Sequence, residues 1–304
     1  MHPGKVDGLG RKNRRFDKPQ DIAIRAVLRP VLALPYARRV TAMGWLCANV
    51  VGPALGWRKR IRANLAHVCP DLDEPEIRRL CREVCDNVGR TLIEIYSGAE
   101  FKRHLAGTAL RGPGVEPLRE ARRTGRPVVL VTGHIGNFDA LRATLFTEGI
   151  AVAGLYREMN NTRFNTHYVA ALEQTGTPIY PTNRAGVTKF VRYLADGGAI
   201  GILTDIYSSK GADVTFFGRS APTATSACDW AVRHDALIVP CYGLRREDGL
   251  SFDLRLETPV PHGDPVKMTQ HINDNLESIV RQNMGQWFWI HRRWKPERAR
   301  HARG

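Results

Sequence analysis

The apolar positions Ile77, Leu80, Val84, Val88, Leu92 and Ile95 recur at the three- and four-residue spacing of one helix face. Asp73 and Glu76 form a capping-box pair ahead of them, and Pro75 suits a first turn, so the pattern predicts a helix over residues 73–98. Beyond residue 125 the period changes. Val128–Thr132 is an apolar run straight after Gly125-Arg126-Pro127, which reads as a buried strand. Further strands are predicted over 150–155, 199–204 and 237–242, with a short extended piece over 214–217. Residues 252–257 alternate as an edge strand would. Helical stretches near 161–175, 187–196, 223–234 and 267–284 separate or follow the strands. Buried strands alternating with helices indicate an α/β fold, a mixed, mostly parallel sheet flanked by helices on both faces. The helices before residue 100 form an N-terminal layer on it.

Residues 22–57 are the most apolar early region, interrupted by Arg25, Arg29, Arg38 and Arg39. The longest uncharged stretch, 40–57, reaches the lower limit for a membrane span but contains Gly44, Gly52, Pro53 and Gly56 and little Leu or Ile. It reads as an element lying in a membrane interface, with Trp45 and Trp57 at headgroup level; a pair of core helices and a single N-terminal span are the competing readings. No secretory signal pattern precedes it.

Charge sharpens this picture. Lys and Arg exceed Asp and Glu by 15, which points to polyanionic partners. Residues 1–20 are net +4 and residues 291–304 net +5, so most of the excess sits at the ends. Basic ends suit an anionic membrane surface. A basic, non-enzymatic nucleic-acid-binding protein is the alternative class, but the middle of the chain is mildly charged and lacks a nucleic-acid-binding motif, so nucleic acid is not expected as a partner. The six cysteines contain no Cys-x-x-Cys pair and read as small core residues of a reducing compartment; Cys81 and Cys85 share a helix face. No His/Cys cluster has metal-ligand spacing.

The chemistry concentrates after the first buried strand, in Gly133-His134-Ile-Gly-Asn137-Phe-Asp139. His134 falls just past the carboxyl end of that strand, where open α/β sheets bind ligands. Asp139 lies about one turn into the next helix, and the spacing lets its carboxylate approach one imidazole nitrogen. Such a pair makes a general base for a substrate hydroxyl. A structural histidine is the competing reading. No Ser or Cys stands in a nucleophile-elbow context nearby.

With this context, His134-Ile-Gly-Asn-Phe-Asp139 resembles the His-x4-Asp/Glu motif of the glycerolipid and lysophospholipid acyltransferase superfamily. The nearer resemblance is to its lauroyl/myristoyl-type lipid A biosynthesis acyltransferases. Arg62-Ala-Asn64-Leu65 through Pro70, Leu155-Tyr156-Arg157 with Asn160-Asn161, Asp205 with Val214-Thr-Phe-Phe-Gly218, and Ile238-Val239-Pro240 resemble further blocks in the family's order. Gln286-Trp-Phe-Trp-Ile-His291-Arg292-Arg293-Trp-Lys295 is similar to its C-terminal signature, and the resemblance covers roughly residues 40–295. The sequence departs from the family in carrying Asp139 where Glu is frequent and in keeping one acid of an Asp-x-Asp at Asp205.

The resemblance implies a glycerolipid-acyltransferase-like fold and direct acyl transfer from an acyl carrier protein or coenzyme A thioester. The acceptor would be a hydroxyl of a lipid A precursor or related glycolipid, or of another phospho- or aminolipid. His134 would be the base and Asp139 its partner. Arg157 would bind acceptor phosphate or an oxyanion, Asp205 would support the site, and Asn137 would cap the helix or join the site. Arg292 and Arg293 would face phosphorylated lipid or form a solvated tail. Trp287, Trp289 and Trp294 would pack an acyl chain, meet the lipid interface or form an aromatic core. No cofactor is expected beyond the thioester co-substrate. A lipid-ester hydrolase using the same pair is a further alternative. The implied organisation is a basic tail (1–20), a membrane-associating segment (21–60), an acyltransferase domain (61–295) and a second basic tail (296–304), at the cytoplasmic face of the inner membrane.

Overall fold

The computed structural model describes residue 26 and residues 28–159 and 161–295. Both expected basic tails, 1–20 and 296–304, lie outside the described residues, as does Asn160. Helix α1 (Tyr36–Leu46) passes through a π-helical turn (Cys47–Val51) towards α2 (Trp57–Val68), α3 (Glu74–Tyr96) and α4 (Gly98–Leu105). The α/β part then runs β1 (Leu110–Arg111), α5 (Val115–Thr124), β2 (Val128–Thr132), α6 (Phe138–Thr147), β3 (Val152–Tyr156), α7 (Thr162–Thr175), β4 (Ile179–Pro181), α8 (Arg184–Ala195) and β5 (Ala199–Leu203). After a small hairpin, β6 (Thr215–Phe216) and β7 (Arg219–Ser220), come α9 (Ser226–Arg233), β8 (Leu237–Arg245), β9 (Phe252–Leu256) and α10 (Pro265–Gln282).

The strands form one sheet in the order β1-β9-β8-β2-β5-β3-β4, parallel throughout except for β8 against β9. β2 lies between β5 and β8 and is buried on both faces, which explains its unbroken apolar run. Val128 and Leu130 pack on one side with Leu118 and Leu141, and Val129 and Val131 pack on the other with Phe190, Leu194 and Ile272. Each such side chain, fully buried, contributes about 1.5–3 kcal/mol.

The alternating strand is not at an edge. β9 lies between β8 and the two-residue β1, and its alternation reflects one face in the core and one partly open. β8 pairs with β2 through Pro240 and with β9 from Cys241 onward, changing partner where proline lacks an N–H for the ladder.

Helix α3 begins as predicted, with Asp73 accepting from the Glu76 N–H at 2.8 Å. Cys81 and Cys85 lie on its buried face, and the six cysteines are unpaired thiols, Cys69 alone being half-buried. The helix packs closely on α1. A Cβ at Gly89 would lie 2.4 Å from the Met43 carbonyl oxygen, so only glycine allows this approach. Among the described residues no helix is long and apolar enough to cross a membrane. Trp45 is 61% and Leu55 62% exposed, whereas Trp57 packs against a buried hydrophobic cluster.

Candidate active site

The strand register builds the site. Thr132, the last residue of β2, pairs with Leu203, the last of β5. His134 and Asp205 each follow two residues later, so they occupy equivalent positions beyond two neighbouring parallel strands about 4.8 Å apart. His134 Nδ1 lies 2.7 Å from Asp205 Oδ1, and the His134 backbone N–H donates to Asp205 Oδ2 at 2.7 Å. Trp287 Nε1 donates to the same Oδ2 at 2.9 Å. One buried carboxylate thus fixes the ring, the backbone and an indole.

Burial alone would lower the imidazole pKa, but the Asp205 charge and hydrogen bond outweigh it and raise it above 6.5. Burial likewise raises the Asp205 carboxyl, while His134 and Trp287 pull it down to about 2. Asp205 is therefore ionised and carries no proton, so Nδ1 is the donor in their bond. The His134 side chain is one-third exposed and stands between Phe138 and Phe288, with ring centroids 5.6 and 5.9 Å away.

The turn is held from several sides. Phe288 N–H donates to the His134 carbonyl at 2.9 Å, and Ile135 bridges to Trp287. Gly136 has φ +56°, and a Cβ there would lie 2.1 Å from the Gly243 carbonyl oxygen, so the turn requires glycine.

Asp139 does not meet the His134 ring, contrary to the reading from spacing. As an N-terminal residue of α6 its carboxylate turns to Arg142 one helical turn on, accepting from Nε at 2.6 Å. Arg142 also donates to the Leu172 and Gly176 carbonyls and the Thr175 hydroxyl, tying α6 to the end of α7. Asp139 Oδ2 is buried without a protein hydrogen-bond partner. Asn137 is the helix cap: its Oδ1 accepts from the Asp139 N–H at 2.9 Å, and it is fully buried.

Beside the turn, Asp139 and Arg142 border a mostly apolar cavity of about 80 Å³ lined by Leu130, Thr132, Phe138, Val152, Gly154 and Gly201, among others. Phe138 joins it to His134. Cys241 also lines it, but burial pushes that thiol up to about 12, so no thiolate nucleophile stands there.

The remaining expected residues divide. Arg157 is exposed just beyond β3, on the same carboxyl edge as His134, and Arg292 is exposed. Arg293 is not available to lipid: it has no solvent exposure, and its guanidinium donates to the Pro222 carbonyl and the Thr223 hydroxyl. Trp287, Trp289 and Trp294 are buried against Phe216 and Phe217, the aromatic core among the three alternatives. The reading of the sequence did not single out His291 on its own, although it lies in the C-terminal signature. Its Nε2 accepts from the Tyr207 N–H at 3.1 Å, and the Asp205 and His134 charges act on it. Among the described residues no group of three His, Cys, Asp or Glu side chains gathers as a metal site.

An imidazole paired with a carboxylate at the carboxyl edge of an α/β sheet, beside a mostly apolar cavity, is an arrangement that can serve as a general base. The bacterial lipid A biosynthesis acyltransferase family matches over residues 11–296, and the chain belongs to that family. It is also similar to a lipid A biosynthesis acyltransferase of Haemophilus influenzae, 20% identical over 261 residues that cover 84% of this chain and 81% of that protein. The protein is an acyltransferase.

Proposed function

We propose that the protein moves a fatty acyl chain from a thioester of acyl carrier protein or coenzyme A to a hydroxyl of a lipid A precursor, at the cytoplasmic face of the inner membrane. The observation that carries this reading is the 2.7 Å contact of His134 Nδ1 with Asp205 Oδ1. With the Nδ1 proton committed to the carboxylate, Nε2 is the open base. It takes the proton of the acceptor hydroxyl as the oxygen bonds to the thioester carbonyl carbon. The tetrahedral intermediate collapses, the C–S bond breaks, and the proton on Nε2 leaves with the thiolate as a thiol. Asp205 stays ionised and stabilises the imidazolium.

The apolar cavity suits a segment of acyl chain, being smaller than a whole-ligand pocket. Arg157 and Arg292 suit phosphate on the acceptor, because a guanidinium binds it bidentately. The exposed Leu34, Trp45, Val50 and Leu55 of the N-terminal layer suit a monotopic membrane contact. The test is acyl transfer by purified protein from labelled donor to a lipid A precursor. Wild type is expected to transfer, and His134→Ala to lose about 10²–10⁴-fold, the usual contribution of a general base. Equal turnover by both refutes the reading.

A further inference from the structure

Asn87, Thr91 and Glu94 follow one another on α3 at spacings of four and three, so they form one polar stripe on an otherwise apolar buried face. All three are buried, Glu94 without any solvent contact. The stripe addresses the back of the catalytic turn. Asn87 Nδ2 and Thr91 Oγ1 both donate to the Gly136 carbonyl at 2.9 Å, and Glu94 Oε2 accepts from Asn137 Nδ2 at 2.8 Å. From β8, buried Arg245 donates to Glu94 through both terminal nitrogens, at 2.6 and 2.7 Å, and to Asn87 Oδ1 at 3.0 Å. The Gln286 side chain exchanges two bonds with the Arg245 backbone, and the Gln286 backbone carbonyl accepts from the Gly136 N–H.

A buried ion pair is weak support for stability, since apolar residues of similar volume often do as well. What distinguishes this one is where its bonds end: on Gly136 and Asn137, two and three residues past His134. We infer that Glu94 and Arg245, with Asn87 and Thr91, are positioning residues for His134. They hold the Gly136–Asn137 turn from behind, so that the His134 backbone N–H and ring reach the two oxygens of Asp205 together. The inference rests on the proposed role of His134 and Asp205. It makes α3, a helix of the N-terminal layer, part of the catalytic apparatus.

The test compares full-length Glu94→Gln, Thr91→Val and Val260→Ala in steady-state transfer across pH, with His134→Ala in the same series. Val260 is a buried core residue in the cluster on the other face of β2 and serves as a control for lost stability. Among the described residues, the groups whose charges couple to the His134 ring are Asp205 and His291. Glu94→Gln is expected to lower kcat about 10²-fold per folded molecule, the usual cost of misplacing a catalytic group by about 1 Å, with KM changed less than about threefold. Its acid limb should move to lower pH as the ring loses Asp205. Thr91→Val keeps its shape and loses one hydroxyl, so it should shift both readouts the same way by less, and it decides the matter if Glu94→Gln does not fold. Val260→Ala should lose stability and keep its kcat and acid limb. The inference is overturned if folded Glu94→Gln or, failing that, Thr91→Val keeps wild-type kcat and acid limb, or if Val260→Ala reproduces their losses. Persistent turnover by His134→Ala would instead remove the functional reading beneath it.

Discussion

Replacing Asp205 by Asn tests the site at its centre. Asp205 accepts three N–H groups, two at Oδ2 from His134 N and Trp287 Nε1 and one at Oδ1 from His134 Nδ1. An asparagine has one acceptor oxygen. If that oxygen replaces Oδ2, the new NH2 faces the ring and demands Nδ1 as acceptor, which moves the proton to Nε2 and removes the base. If it replaces Oδ1, the NH2 faces two N–H donors and leaves both unsatisfied. Each buried unsatisfied donor costs about 1–3 kcal/mol, so the inactive arrangement wins by about 2–6 kcal/mol, or about 30-fold to 10⁴-fold in active tautomer. The variant keeps the shape of the side chain, so its circular dichroism should match wild type while kcat falls by that factor. The assay is transfer of labelled acyl chain at saturating donor. Turnover of folded Asp205→Asn within about threefold of wild type would refute the tautomer argument.

Other expectations follow from the same contacts. Asp139→Asn should cost about 3 kcal/mol of unfolding free energy measured by urea denaturation, because it weakens a buried ion pair, and should lower kcat less than about tenfold; a severe kcat loss at unchanged stability would show that the carboxylate serves His134. In pH–rate profiles the base must be neutral, and since its pKa is raised, the acid limb of kcat/KM should lie above 6.5 and fall in Asp205→Asn; a limb at or below 6.5 in wild type contradicts the pairing. Gly154→Leu should shift donor preference to shorter chains, because a Cβ there meets only Ile179 Cγ2 at 3.6 Å and points into free space of the cavity; an unchanged chain-length profile would remove the cavity from the acyl path. The protein should sediment with anionic vesicles, less so at high salt, because each nearby Lys or Arg contributes about 1 kcal/mol and that part is screened; Trp45→Ala with Leu55→Ala should weaken what salt leaves, and protein that stays in solution beside such vesicles at low salt contradicts the interfacial contact.

The raised and lowered pKa values also set opposite limits on stability. The His134 contribution is complete below 6.5 and is lost as pH rises through its higher folded value. The Asp205 contribution is present above 3.8 and is lost as pH falls through about 2.

Much of this is legible in the amino-acid sequence. Long elements with a clear period, such as α3 and β2, appear where the pattern places them. β1 has two residues and β4 three, one of them proline, too few to show alternation. His134 was marked by its place after an apolar strand. Asp205 was marked only through the resemblance, as support for the site and not as the partner of the ring, because it is 71 residues away and their meeting depends on β5 lying beside β2. A signal existed: two apolar strands each end two residues before a polar group. Asp139 misled because helical spacing brings it near, yet Arg142 at i+3 competes for it. Charges at Glu94, Arg245 and Arg293 read as surface by type, and only packing shows them buried.

His134 acts as a base whose open nitrogen is Nε2, held so by Asp205. Nitrogen-15 spectra of selectively histidine-labelled protein, assigned with His134→Ala and taken with the ring neutral, measure this directly. A protonated Nδ1 and bare Nε2 are expected in wild type, reversing in Asp205→Asn and unchanged in Asp139→Asn. A wild-type ring protonated at Nε2, or a reversal in Asp139→Asn alone, would contradict it.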